Sequence, residues 1–331
     1  MSSADRYISR HSRNPLIRAA DIPFPCTRCF NPAAEKFEGR YVLLVRVIGP
    51  DRSESLALAT SVNGLDFEIA PEPILRPGPE DQGRLNDPRL TRIGDTYYVV
   101  YCSDPPSGIR IGILATKDFR SFERLYYSEP DNRNAVLFPE KIGGLFVRLD
   151  RPFTRWYYLD RAYDIWLSRS PDLRYWGDHR LLLSYADVPW GNNKIGPGPQ
   201  PIRTKKGWLV IYHGAEYPDG TDTAWKKTYR AGVMLLDLED PSKVLARPDA
   251  PLLEPEAPYE IDTEFRPNAI FPTGAVLDPD GGIKLYYGAA DKTVALAETS
   301  VDQLLEFCLN PPKYEHPRKH PAFRPPLSRH A

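Results

Sequence analysis

Two patterns of hydrophobic and polar positions alternate along the chain. The first is a turn followed by an apolar run that ends on a polar residue. Its copies are EGRYVLLVRV (38–47), GDTYYVVYCSD (94–104), GGLFVRLDRP (143–152), KGWLVIYHGA (206–215) and GGIKLYYGAAD (281–291). The second is a strand-like run of small and apolar residues, closed by a polar turn and often an aromatic. Its copies are SLALATSVNGLDF (55–67), IRIGILATKDFRSF (109–122), DIWLSRSPDLRYW (164–176), YRAGVMLLDLEDP (229–241) and KTVALAETSVDQLLEF (292–307). Successive copies of the first pattern start roughly 50 to 75 residues apart, the spacing of four-stranded blades. Five ordered pairs predict an all-β chain folded as a single five-bladed β-propeller with its active site in the central funnel. A β-sandwich would give similar strands but has no need of five such pairs. Strands of the first pattern are expected near the axis. Their polar ends are Arg46, Asp104, Arg151, His213 and Asp291. A charge after an apolar run is costly to bury unless it is paired or faces a wet cavity, so five converging ends predict a polar binding site.

Composition narrows the function class. The chain has 331 residues, 41% hydrophobic, with 19 Tyr, 6 Trp and 35 Pro, which suits strands and turns more than helices. A net charge of −1 gives no bulk field toward nucleic acid or membrane. No apolar run is long enough to span a bilayer, and MSSADRYISRHSRNP has no signal-peptide core. A cytoplasmic protein is expected. Of four cysteines only Cys26 and Cys29 are close, and this lone CxxC lacks the two further ligands that zinc needs. No metal is expected. Residues 1–13 read as a polar N-terminal arm, 14–308 as the propeller, and 309–331 as a Pro/Arg-rich tail. His11, His179, His316, His320 and His330 read as surface residues.

The stretch RLNDPRL (84–90) holds a lone carboxylate, Asp87, before a strand-like run. It reads either as a turn residue or as the acid of a site. Cationic candidates for that site are Arg46, Arg133, Lys141, Arg151, Lys194 and His213; acidic ones are Asp87, Asp104, Asp150 and Asp291. Several cations at one site usually meet an anion, and arginine forks match phosphate oxygens. No Gly-rich phosphate loop is present, so the anion should be small, such as inorganic phosphate, rather than a nucleotide. Tyr, Trp and Asn around a funnel suit a sugar. A sugar and a phosphate at one carboxylate suggest glycoside phosphorolysis.

The runs FNPAA (30–34), LLVRV (43–47), NDPRL (86–90), RNAVLFPEKIGG (133–144), DRP (150–152), NKIGPGPQPIRTKKGWLVIYHGA (193–215) and YYGAADKTVALA (286–297) resemble glycoside hydrolase family 130, which contains the β-mannoside phosphorylases. The resemblance runs in order from residue 14 to about 307. It implies a five-bladed propeller, with Asp87 as catalytic acid. It implies Arg133, Asn134, Arg151, Lys194, His213 and Tyr229 at phosphate, and Asn31, Arg46 and Asp291 near the mannosyl unit. Asp104 joins the substrate-binding set as a funnel acid. The sequence departs from the family at Asn86, where Glu is common.

An inverting hydrolase needs a base to deprotonate water, whereas phosphate is already an anion and needs only positioning. One acid then suffices. The resemblance implies that it acts through a mannose hydroxyl and that the product is α-mannose 1-phosphate plus an acceptor sugar. Inorganic phosphate is the co-substrate, with no cofactor. A hydrolase that uses water on the same propeller, or a sugar-binding propeller without turnover, are the competing readings. The acceptor and the β-1,4 or β-1,2 linkage are left open, with loops 104–108, 153–163 and 184–192 as the expected acceptor contacts. A homo-oligomer through the tails would be in keeping with the family.

Overall fold

The computed structural model describes residues 6–81, 84–156, 159–192, 194–216, 227–261 and 268–316, with the side chains of 154–162 left aside. A two-residue strand β1 (Ser9–Arg10) comes first. Blade one is β2 (Arg28–Phe37), β3 (Arg40–Ile48), β4 (Glu54–Ser61) and β5 (Glu68–Ile69). Blade two is β6 (Asn86–Ile93), β7 (Thr96–Ser103), β8 (Arg110–Thr116) and β9 (Glu123–Tyr127). Blade three holds β10 (Asn132–Leu137) and β11 (Phe146–Pro152), a side hairpin of β12 (Thr154–Trp156) and β13 (Leu159–Ala162), then β14 (Ile165–Ser170) and β15 (Gly177–Leu183). Blade four is β16 (Lys194–Pro197), β17 (Ile202–Arg203), β18 (Trp208–Glu216), β19 (Thr228–Leu236) and β20 (Val244–Ala246). Blade five is β21 (Ile270–Leu277), β22 (Gly282–Ala289) and β23 (Thr293–Ser300), followed by α1 (Val301–Leu309). Each blade is an antiparallel meander, and the five sheets form the five-bladed propeller that the repeats predict.

The first-pattern runs are β3, β7, β11, β18 and β22, the second strand of each blade rather than the innermost one. The inner positions belong to β2, β6, β10, β16 and β21, which pack against one another around the axis. The second strands read as continuous apolar runs because both of their faces are covered by neighbouring blades. The five main core clusters lie between adjacent blades, such as Val42, Leu44 and Leu56 with Leu90, Val99 and Tyr101 between blades one and two.

The chain closes on itself through its N-terminus. In β1, Ser9 pairs with Glu298 and Arg10 with Ala297, adding the outer strand of blade five. Tyr7 and Ile8 are buried in the last core cluster. Part of the segment read as a polar arm, residues 1–13, is thus built into the last blade. The second-pattern run 292–307 also changes character: it is a strand to Ser300 and a helix from Val301. The Ser300 side chain caps that helix by accepting from the Gln303 N–H, and Leu304, Leu305, Phe307 and Cys308 form its buried face. Of the tail read as 309–331, residues beyond His316 lie outside those described, His320 and His330 among them. No helix among the described residues is long and apolar enough to cross a membrane.

Candidate active site

The innermost strands of blades one to three each break their ladder near the funnel mouth. Register slips occur between Phe30 and Ala33, between Asn86 and Arg89, and between Arg133 and Val136. Within these bulges Asn31, Asp87 and Asn134 adopt φ of +48°, +47° and +58°. Asn and Asp tolerate this left-handed backbone better than most residues, and a bulge re-aims the side chain it carries. Here it turns three polar side chains out of the ladder into the funnel. Glycine makes room for one of them: a Cβ at Gly288 would meet Asn31 Oδ1 at 1.8 Å.

A cavity of 750 Å³ opens there. Most of the residues singled out from the sequence line it: Asn31, Arg46, Asp87, Asp104 and Asp291 together with Arg133, Asn134, Arg151, Lys194 and Tyr229. Eight basic and four acidic side chains line it in all, so the cavity favours an anion although the chain as a whole does not.

Asp87 is buried and fully engaged. Its Oδ1 accepts from Asn31 Nδ2 at 2.8 Å and from Arg46 Nη1 at 3.0 Å, and its Oδ2 from Arg133 Nη2 at 3.3 Å. Burial alone would raise its pKa, but Arg46, Arg133, Arg89 and the Asn31 hydrogen bond hold it well below the usual carboxylate range. The surrounding cations thus outweigh burial at this carboxylate. Asp104 pairs loosely with Arg84 at 3.7 Å, and its other oxygen is buried without a partner among the described residues. Asn86, where Glu is common in the family, presents its Nδ2 in the cavity wall as a donor without a partner among the described residues.

The opposite wall is cationic. Arg151 is only 4% exposed, yet it makes no carboxylate ion pair among the described residues. Burial and repulsion from Arg133 lower its pKa to about 10. Lys194 places its Nζ 5.2 Å from the centre of the Tyr229 ring, and Arg133 donates through Nε to Asn134 Oδ1 at 2.9 Å. His213 is fully enclosed behind this wall. Its Nε2 lies 3.4 Å from Arg151 Nη1 and its ring 4.2 Å from that of Phe271. Burial, then Arg151, Arg89 and Lys194, push its pKa well below the ordinary value and keep it neutral. A neutral imidazole can support Arg151, and in this arrangement His213 acts from behind that residue.

Several sequence readings move. Lys141 is exposed and stacks over Phe146 at 4.3 Å, away from the cavity. Asp150 is bound to Arg148 at 2.8 Å and Asn132 at 3.1 Å in a buried structural pair. Asp164 caps a turn by accepting from Ser184 Oγ and Tyr185 N–H. His316 is no surface residue: its Nε2 lies 3.1 Å from Glu216 Oε1, and its side chain is 8% exposed.

Two residues of the site were not singled out. Glu54, buried in the cavity wall, takes Arg46 in a two-point grip at 2.8 and 3.0 Å. Cross-strand pairing puts Arg46 opposite Leu56, so Glu54 is its diagonal neighbour on the same face. The grip leaves Arg46 Nη1 aimed at Asp87. Arg89, fully buried, donates to the carbonyls of Asp87 (2.6 Å), Pro197 (3.0 Å) and Gly198 (3.1 Å), tying blade two to blade four across the axis. Glu54→Gln is expected to cost about 2 kcal/mol in urea unfolding, because it frees one partner of a buried charged pair. A loss under about 0.5 kcal/mol, the scale of an exposed pair, would contradict that role.

Residues 10–310 match the family model of glycoside hydrolase family 130 described as beta-1,4-mannooligosaccharide phosphorylase. The chain is 36% identical over 304 residues to the 1,2-beta-oligomannan phosphorylase of Thermoanaerobacter sp. (strain X514), covering 88% of this chain and 96% of that one. It is 33% identical over 319 residues to the beta-1,4-mannooligosaccharide phosphorylase of Ruminococcus albus, covering 91% and 90%. Among solved structures, the beta-1,2-mannobiose phosphorylase of Listeria innocua in complex with beta-1,2-mannobiose superposes with a TM-score of 0.80 at 29% identity, covering 90% of this chain and 98% of that one.

Proposed function

The chain belongs to glycoside hydrolase family 130, and from that membership we propose that it is a β-mannoside phosphorylase with inverting stereochemistry. Inorganic phosphate sits among Arg133, Asn134, Arg151, Lys194 and Tyr229, with His213 behind Arg151. The mannosyl unit sits by Asn31, Arg46, Asp104 and Asp291. Phosphate oxygen forms the new bond to the anomeric carbon as the glycosidic bond breaks, and Asp87 delivers a proton to the departing oxygen through a mannose hydroxyl. The products are α-mannose 1-phosphate and a shorter sugar. No further cofactor enters the scheme.

The single observation that carries this reading is Arg151, a buried arginine with no carboxylate partner among the described residues. An uncompensated buried cation is costly unless an anion arrives. The same arrival explains how Asp87 gains a proton. Monohydrogen phosphate brings one in, the leaving sugar takes one out, and the balance closes without a base. Phosphate also draws Arg133 away from Asp87, relaxing the field that holds the carboxylate ionised. The relatives' names span β-1,2 and β-1,4 linkages, so the reading commits to the mannosyl donor and not to the linkage.

The test is incubation with β-mannosides with and without phosphate, with detection of mannose 1-phosphate. Turnover is expected only with phosphate. Free mannose released at an unchanged rate in its absence would show water to be the nucleophile and overturn the proposal.

A further inference from the structure

A second cavity, of 480 Å³, opens beside the first and is not used by the chemistry above. The strand register shows where it lies. Ser103 at the end of β7 pairs with Arg110 at the start of β8, and Gly112 pairs with Tyr127 at the end of β9. These residues share the edge of blade two that carries Asn86, which pairs with Cys102. The cavity therefore opens on the same face of the propeller as the funnel. One loop separates them: Asp104 lines the funnel, while Pro105 and Ser107 line the second cavity. From β6 out to β9 is three strand spacings, about 14 Å, a distance a short oligosaccharide spans.

The lining suits a neutral sugar. Tyr126, Tyr127, Ser107, Glu80, Arg110 and Arg124 surround the space. Arg124 is already held by Asp81 at 2.9 Å and Glu80 at 3.4 Å, so its charge is balanced. Arg110 makes no ion pair or side-chain hydrogen bond among the described residues, and its guanidinium lies 6.0 Å from the centre of the Tyr127 ring. A guanidinium with unused donors beside two tyrosines asks for hydroxyl oxygens. The acid at Glu80 disfavours a phosphate there.

We propose that this cavity is a distal subsite for the acceptor end of an oligomannoside, with Arg110 as its principal hydrogen-bond donor; the inference rests on the function proposed above. The enzyme then prefers longer chains, because a chain that reaches blade two gains contacts that a disaccharide cannot.

The experiment compares β-mannobiose with β-mannopentaose of the same linkage. Binding is measured by calorimetry in an Asp87→Asn background, so that no turnover intervenes, and kcat/KM is measured in the active enzyme. Arg110→Ala is expected to weaken the pentaose about tenfold, the scale of losing one or two hydrogen bonds, and to leave the biose unchanged. Ser107→Trp, which fills the cavity from its exposed loop, is expected to do the same. Equal affinity for both chain lengths in the parent protein, or equal effects of Arg110→Ala on both, would overturn the subsite while leaving the phosphorylase reading intact. Failure of both sugars to bind or react would overturn both readings.

Discussion

Asp87→Asn is expected to lower phosphorolysis of a natural β-mannoside by about a thousandfold or more, the upper range for removal of a general acid. Asparagine keeps the shape and can still face Asn31, Arg46 and Arg133, but it has no acidic proton to give. The loss should therefore fall on kcat, with the KM for phosphate little changed. Leaving-group chemistry separates an acid from a mere holder of arginines. An aryl β-mannoside whose leaving group departs as a stable phenolate needs no proton, so its rate should fall far less. An equal fall for both substrates would assign Asp87 a positioning role instead. The same variant reports on stability. The folded protein holds Asp87 well below its ordinary pKa, so its ionised form stabilises the fold above the unfolded value of about 4, and that contribution is lost as pH falls through and below it. The parent should be the more stable protein at pH 7, and the two denaturation curves should draw together in acid.

Arg151→Gln should have the second-largest effect, with two parts of opposite sign. Loss of a charge-assisted contact to phosphate, about 2–3 kcal/mol, corresponds to a rise of roughly a hundredfold in the KM for phosphate. The ligand-free variant should nevertheless be more stable than the parent. Arg151 stays protonated at neutral pH, yet burial and Arg133 oppose its charge, so its removal relieves a penalty on the order of 1–3 kcal/mol. Thermal unfolding with and without phosphate tests both parts at once. The parent should rise with added phosphate and the variant should not. A ligand-free variant that melts below the parent, and still shifts with phosphate, would remove Arg151 from the phosphate site.

Much of the fold was legible because each blade repeats one physical problem. A strand covered on both faces must be apolar along its length, and the copies in β3, β7, β11, β18 and β22 announce themselves. The inner strands were harder to see. They are broken by bulges and by Pro32, Pro88 and Pro272, so their runs look like loops, although they carry Asn31, Asp87 and Asn134. Asp87, Arg133 and Arg151 could be picked out because polar residues stand beside apolar runs. Glu54 could not be, since its meaning depends on the hairpin register that brings it diagonal to Arg46. A carboxylate at the first residue of a strand, eight positions after an arginine in the preceding strand, was the available signal. Arg89 was masked for a related reason: two of its three carbonyl partners belong to a blade more than a hundred residues away. Lys141 was misplaced because a charge near an apolar run can equally lie over an aromatic ring on the outside.

The closure of blade five by β1 bears on how this chain comes to be folded. Ser9 waits for Glu298 and Arg10 for Ala297, so nearly the whole polypeptide must be made before the ring can shut. Four blades can assemble in turn from local hairpins, whereas the last joint is the most non-local contact in the sheet system and the slowest kind to form. Until then β23 presents an open edge to any other extended chain. A molecule whose opening strand docks on a neighbour's β23 before its own ring shuts should therefore be found as linked copies, each lending its opening residues to the final blade of another.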